Sequence, residues 1–156
     1  MPPTLKEVSA FQVAGISVRT TNADESQPET ARLPGLWERF YAGNVVEKIP
    51  DRKPDSPVYG VYSQYESDLH GAYTVTAGVA VPNRHSDDYQ TAEVESGLYL
   101  VFAGKGKLPE AIIDTWSRVW AYFDGDAPYK RRYSSDFECY LGPEQVAIYI
   151  AVVEAR

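Results

Sequence analysis

A single cysteine, Cys139, stands in a chain of 156 residues. One thiol excludes an internal disulfide, and without zinc-type spacing of Cys and His it argues against a structural metal. No apolar run approaches the roughly 20 residues of a membrane-spanning helix. The first ten residues, MPPTLKEVSA, hold no basic segment leading into an apolar run, so no signal peptide is expected. Positive charge is scarce: 15 Lys and Arg against 22 Asp and Glu leave a net charge of −7. That balance argues against a free-standing nucleic-acid binder, which carries a basic footprint. A cytoplasmic protein without direct DNA binding, membrane attachment or cofactor is the expectation.

Catalytic signatures are equally sparse. The two histidines, His70 and His85, lie in polar stretches that read as loops. The glycine-lysine run at 104–107 lacks the G-x-x-x-x-G-K-[ST] spacing that cradles a phosphate, and reads as a strand-to-helix turn. No G-x-S-x-G elbow is present. Cys139 follows Glu138 in a strand pattern, and a neighbouring anion raises a thiol pKa, so it reads as a structural thiol.

What the chain has is apolar surface and tyrosine. Hydrophobic residues make up 44% of it, enough for one core at this length, and 12 residues are Tyr. Tyr joins an apolar ring to a polar tip, useful in pockets and equally at home in strands. Strand patterns occupy 11–21, 58–67, 72–82, 97–106, 129–141 and 145–155. Residues 31–43 space Leu33, Leu36, Trp37, Phe40 and Tyr41 as a helix, with Thr30 as a candidate cap and Gly43 as the stop. Residues 107–125 carry a second apolar stripe of Ile112, Trp116, Val119, Trp120 and Phe123. Residues 44–57 and 83–96 read as polar connections.

The order strand, helix, strand, strand therefore occurs twice. Residues echo it: LWERFYAG with VWAYFDG, VYSQYES with RYSSDFECY, YTVTAGVAV with VAIYIAVV. Trp37 then matches Trp120, Tyr62 matches Tyr133 and Glu66 matches Glu138. A repeat in fixed order predicts an α+β fold of duplicated βαββ units about a pseudo-two-fold axis. Its antiparallel sheet carries two main helices. The whole chain, 1–156, forms one domain with repeats at about 5–83 and 95–156, because one unit alone cannot bury its helix stripe. Ligands often bind where two such units meet.

Strand alternation puts Asp136, Glu138 and Tyr140 on one face, Phe137, Cys139 and Leu141 on the other. Small residues fill one face of the hairpins: Thr74, Thr76, Gly78, Ala80, Ala147 and Ala151. They leave a hollow beneath the helices or let the helices pack tightly. Glu138 in such a hollow would be protonated or paired. A cationic aromatic ligand would supply the charge, with Tyr and Trp faces adding cation–π attraction. The plainer alternatives are a solvent-facing Glu138, or one paired with Arg131 or Arg132. The three tryptophans are core residues or cavity walls.

The hairpin segments VYGVYSQYES and AYTVTAGVAVP, the helix LPEAIIDTWSRVWAYF, and the D-F-E-x-Y segment at 136–140 are together similar to the GyrI-like small-molecule-binding domain. That domain is also known as the AraC-type, or bacterial transcription activator, effector-binding domain. The resemblance covers roughly residues 5–155. It implies a groove between the two halves that binds lipophilic, often cationic, organic molecules. It places Glu138 at the family's central acidic position, with Trp37, Tyr62, Trp116, Trp120 and Tyr140 as ligand-binding aromatics. Glu66, which matches Glu138 in the internal repeat, is a candidate second acidic wall. The regulators carry a helix-turn-helix that this sequence lacks, so a stand-alone module for drug binding, sequestration or sensing is expected. Two other classes stay open. One is a small hydrolase of reactive electrophiles with Glu138 as base and a Tyr hydroxyl as donor. The other is a protein-interaction or inhibitor module with a protein partner.

Overall fold

Apolar side chains that alternate along strands of five to 14 residues form a sheet in which each strand between the two margins has two hydrogen-bonded neighbours. The computed structural model describes residues 2–82 and 89–154. Along the chain run β1 (Thr4–Val8), β2 (Phe11–Thr20), α1 (Asn22–Glu25), α2 (Leu33–Ala42), α3 (Val45–Lys48), β3 (Val58–Ser63) and β4 (Tyr73–Val81). Then follow β5 (Gln90–Val94), β6 (Gly97–Lys105), α4 (Glu110–Phe123), β7 (Tyr129–Gly142) and β8 (Gln145–Glu154). Among the described residues the strands form one antiparallel sheet in the order β1-β6-β8-β7-β3-β4-β2-β5. The expected α+β architecture is present, with β7 beside β3 at the seam and the same strand order running outward on both sides. His85 lies outside the described residues.

Two strands escaped the sequence reading. β1 (TLKEV) and β5 (QTAEV) mix charged and apolar residues and lie at the two margins of the sheet. Their outward faces are exposed, so they show little of the burial pattern that betrays a core strand. They also cross between the halves. β1 precedes β2 in the chain but pairs with β6, and β5 precedes β6 but pairs with β2. Only Ser9 and Ala10 separate β1 from β2, and such a link reaches at most about 11 Å. The two margins must therefore meet, and the sheet curls on itself.

The curl divides the core. Inside it, Val13, Val61, Val94, Tyr99, Phe137 and Ala151 pack from six strands. On the outer face, Leu36 and Phe40 of α2 cover Val75, Ala77, Val79 and Val81 of β4. There too Val119 of α4 covers Leu100, Phe102, Ile148, Ile150 and Val152. This placement corrects one expectation. The small residues of β4 alternate with the helix-facing ones, so Thr74, Thr76, Gly78 and Ala80 point away from α2, and Ala151 packs inside the curl. The hollow expected beneath the helices is therefore not formed by these residues. Gly15 and Gly78 are register partners, and a Cβ on either would fall on the opposing strand's backbone carbonyl. Small residues here let the sheet bend.

The helix ends also refine the reading. Pro34 sits in the first turn of α2, where its missing N–H costs no helical bond, and Gly43 is the C-cap, the stop expected from the sequence. Thr30 is not the cap: its hydroxyl donates to the Asp24 carbonyl oxygen (2.7 Å). The capping is done from a distance by Glu25, which accepts from the Arg32 (2.8 Å) and Leu33 (3.2 Å) backbone N–H groups. On α4 the fully buried stripe is Ala111, Thr115 and Val119. Gly104 of β6 lies against Thr115, where a Cβ would strike the Thr hydroxyl. Gly106, at φ +123°, makes the turn out of β6. The run at 104–107 is thus a strand end and turn.

Candidate functional site

The seam between β3 and β7 brings Glu138 opposite Gly60 in the strand register. Gly60 offers no side chain, and the space a Cβ would take is already filled. Such an atom would lie 2.8 Å from Glu138 Oε1 and 3.0 Å from Trp37 Cζ2. Alternation in β7 holds as expected: Phe137 and Cys139 enter the curled interior, while Glu138 faces the helices. It is 3% exposed.

Three side chains converge on this carboxylate. Tyr62 O–H donates to Oε2 at 2.9 Å, Trp116 Nε1–H to Oε2 at 2.7 Å, and Tyr140 O–H to Oε1 at 2.7 Å. No cationic side chain among the described residues pairs with it. Burial pushes the Glu138 pKa up, and the bonds from Trp116, Tyr140 and Tyr62 pull it back part of the way. Burial and the adjacent carboxylate raise Tyr62 and Tyr140 far above the ordinary phenol range, so both remain donors.

A second carboxylate two residues away is in a different state. Asp136 is wholly buried and forms an ion pair with Arg131 Nη2 at 2.8 Å. It also accepts from Tyr65 O–H (2.5 Å) and from the Ala151 backbone N–H (2.8 Å). A bulge makes this geometry. The register of β7 on β8 shifts between Arg131 and Asp136, and Tyr133 takes a left-handed backbone at φ +56°. The Arg131 guanidinium then lies 4.6 Å from the Tyr133 ring centroid and 5.5 Å from that of Trp120. The alternative of an Arg partner for Glu138 is thereby settled: Arg131 goes to Asp136, and Arg132 goes to Ser134 and the Tyr99 ring.

Above these groups lies a cavity of about 180 Å³, walled by Tyr62, Tyr65, Tyr73, Trp116, Trp120 and Arg131, with Glu25 and Leu33 at its α2 side. A wider cavity of about 770 Å³ adjoins it, sharing Trp120, Arg131 and Tyr133, with Asp124 and Asp126 in its lining. Glu138 is not in the wall itself. It sits one layer behind, held by Tyr62 and Trp116, which are. Ring contacts join the wall: Tyr62 to Trp116 at 5.3 Å, Trp116 to Trp120 at 6.3 Å, Tyr62 to Tyr73 at 5.6 Å.

The residues picked from sequence divide accordingly. Glu138, Tyr62, Trp116 and Tyr140 form one hydrogen-bonded cluster. Trp120, 39% exposed, lines the cavity. Trp37 lies outside the cavity wall and packs edge-on against Tyr140 at 5.3 Å. None of the three tryptophans is fully buried. Glu66 lies exposed beyond the end of β3, its carboxylate near the Ala72 N–H (3.4 Å), and is no second wall. Cys139 is buried and its thiol is pushed up to about 11. Gly60, Tyr65, Tyr73, Glu25 and the Arg131–Asp136 pair were not picked as site residues. A glycine in mid-strand was the one signal for Gly60.

The sequence profile of Cass2, integron-associated effector binding protein, matches residues 4–152. The chain belongs to this family. An integron cassette protein from the mobile metagenome of Vibrio cholerae shares 40% identity with it, at a TM-score of 0.85, covering 98% of this chain and 97% of that one. YobU of Bacillus subtilis (strain 168), described as a candidate transcriptional regulator, is 30% identical over 89% of this chain and 90% of its own length. The structure of SAV2435 bound to tetraphenylphosphonium superposes at a TM-score of 0.78, with 20% identity, over 98% of this chain and 94% of that one. The effector-binding resemblance read from the hairpins and the D-F-E-x-Y segment therefore holds, and the chain has the GyrI-like fold. Among its described residues, no helix is long and apolar enough to cross a membrane.

Proposed function

We propose that this protein binds a lipophilic organic cation in the cavity above β3 and β7, with ionised Glu138 as the counter-ion. One observation carries the reading. A carboxylate buried at the sheet seam has three hydrogen-bond donors and, among the described residues, no positive partner. Hydrogen bonds reduce the cost of burying the charge but do not neutralise it. A cation in the aromatic cavity sits one layer from Glu138, in a region of low dielectric where the attraction is strong. The faces of Tyr62, Trp116 and Trp120 add cation–π attraction, on the order of 1–2 kcal/mol each when desolvated. The ligand named with SAV2435, tetraphenylphosphonium, is a lipophilic aromatic cation and supports the same ligand class here.

The pH dependence follows from the sign of the shift. A cation favours ionised Glu138, whose pKa burial has raised, so binding strengthens as pH rises through that titration and weakens as it falls. A thermal-shift titration of the chain with tetraphenylphosphonium and with neutral triphenylphosphine oxide, across the acidic to neutral range, tests this. The expected result is a cation-induced rise in melting temperature that shrinks on acidification, with a flat response to the oxide. Equal stabilisation by both compounds at every pH contradicts the reading.

A further inference from the structure

Two buried carboxylates stand one layer behind the cavity wall, and a wall tyrosine holds each. Glu138 accepts from Tyr62 O–H at 2.9 Å, and Asp136 from Tyr65 O–H at 2.5 Å. They lie two residues apart on one face of β7. Only Asp136 has a cation, Arg131, with Nη2 at 2.8 Å. The guanidinium is flanked by the rings of Tyr133 (4.6 Å) and Trp120 (5.5 Å). A buried carboxylate, a cation and flanking aromatic rings are what the proposed ligand would make with Glu138. The chain builds the same arrangement beside it from its own residues. The bulge in β7 and the left-handed backbone of Tyr133, at φ +56°, turn Arg131 toward Asp136. An aromatic residue holds such a conformation only where its surroundings enforce it.

Among the described residues, Arg131 is the one cationic side chain in the wall of the smaller cavity. An arginine keeps its charge at any working pH. Left unpaired, it would offset Glu138 and repel a cation placed against Trp116. Resting on the reading of Glu138 as counter-ion, we propose that Asp136 determines the charge preference of the site: by neutralising Arg131 it leaves the cavity net negative and open to a cation from outside. Asp136 acts through Arg131, as a positioning residue. Its own place is fixed by Tyr65 and by the Ala151 backbone N–H at 2.8 Å. The other carboxylates near the cavities weigh less. Glu25 is engaged by the Thr20 hydroxyl and two N–H groups of α2. Asp124 and Asp126 are exposed on the wider cavity, where water and salt screen them.

The test is calorimetric titration with tetraphenylphosphonium and neutral triphenylphosphine oxide at neutral pH and fixed ionic strength. The proteins are wild type, Asp136→Asn, Arg131→Gln and the double variant. An Asn at 136 still accepts from Tyr65 and the Ala151 N–H, and a Gln at 131 still donates, so the variants change mainly charge. Asp136→Asn is expected to bind the cation about tenfold more weakly and Arg131→Gln about tenfold more tightly, with the oxide unchanged in both. The double variant is expected to recover the cation affinity that Asp136→Asn loses. Unchanged cation affinity in Asp136→Asn overturns the role of Asp136. So does an equal loss of cation and oxide, or a double variant as weak as Asp136→Asn, because either marks the loss as structural. If Asp136→Asn does not fold, Arg131→Gln decides: cation affinity equal to or below that of wild type overturns the proposal. These outcomes leave the reading of Glu138 standing. A wild type that does not prefer the cation to the oxide overturns both.

Discussion

Glu138 and Gly60 depend on each other. The carboxylate occupies the space that any side chain at position 60 would need, and Trp37 closes the same gap from α2. Gly60→Ala is therefore expected to displace Glu138 or Trp37 and to destabilise the fold by roughly 1–3 kcal/mol, read as a lower urea midpoint with an unchanged slope. Ligand-free stability carries a second signature of Glu138. Its folded pKa is raised, so the folded state holds the proton more tightly than the unfolded chain. The stabilising contribution is complete below the unfolded pKa and is lost as pH rises through the folded one. Wild type should accordingly gain stability relative to Glu138→Gln when neutral solutions are acidified, measured as paired melting curves. Alternation separated Glu138 from Phe137 and Cys139, but it fits a solvent-facing Glu138 equally well, and the resemblance to the effector-binding domain was what favoured a buried one. The fate of Arg131 was not legible, because it depends on a bulge that four residues of β7, 132–135, make against β8, and alternation carries no sign of such a shift.

The helices show how an element's role can escape its own sequence. The apolar stripe of α4 was legible at 3.6-residue spacing, yet its deepest members are the small residues Ala111 and Thr115 beside Val119. Close approach of α4 to Gly104 selects small side chains there. The larger Trp116 and Trp120 are left for the cavity. On α2 the N-terminus is held by a residue from the preceding turn. Glu25 accepts from two of its backbone N–H groups and is itself fixed by the Thr20 hydroxyl at 2.6 Å. Glu25→Ala removes both bonds, and a loss of about 1–2 kcal/mol in unfolding free energy is expected, with Glu25→Gln recovering part of it. Local propensity favoured Thr30 as the cap. The tertiary course of the chain gave the task to Glu25 instead, and no spacing rule finds a cap seven residues away.

The whole molecule is a sheet whose halves exchange their first strands. The repeat in residue pattern made the βαββ order legible. The exchange of β1 and β5 was hidden because both strands lie at the margins, where burial leaves little pattern. It has a consequence for folding: residues 2–82 alone leave β1 without β6, and β2 without β5. We expect each half expressed alone to lack a cooperative thermal transition by circular dichroism, and the mixed halves to recover one. A cooperative transition in an isolated half would contradict the account of the exchange. The same geometry explains the position of the site. Pairing of β3 with β7 joins the halves in the middle of the sheet, and Glu138 lies on that seam, where aromatic side chains from both halves meet.

The measurement that tests the central claim most directly is calorimetric titration of wild type and Glu138→Gln with tetraphenylphosphonium and neutral triphenylphosphine oxide at neutral pH. A Gln keeps the shape and can still accept from Tyr62 and Trp116, so the variant changes mainly the charge. The account predicts that wild type binds the cation more tightly than the oxide. In Glu138→Gln the cation should lose about tenfold to a hundredfold in affinity, the equivalent of roughly 1.5–3 kcal/mol for a charged partner, and the oxide should be little changed. Equal affinity of the two proteins for the cation would contradict it, and would leave Glu138 as a structural carboxylate.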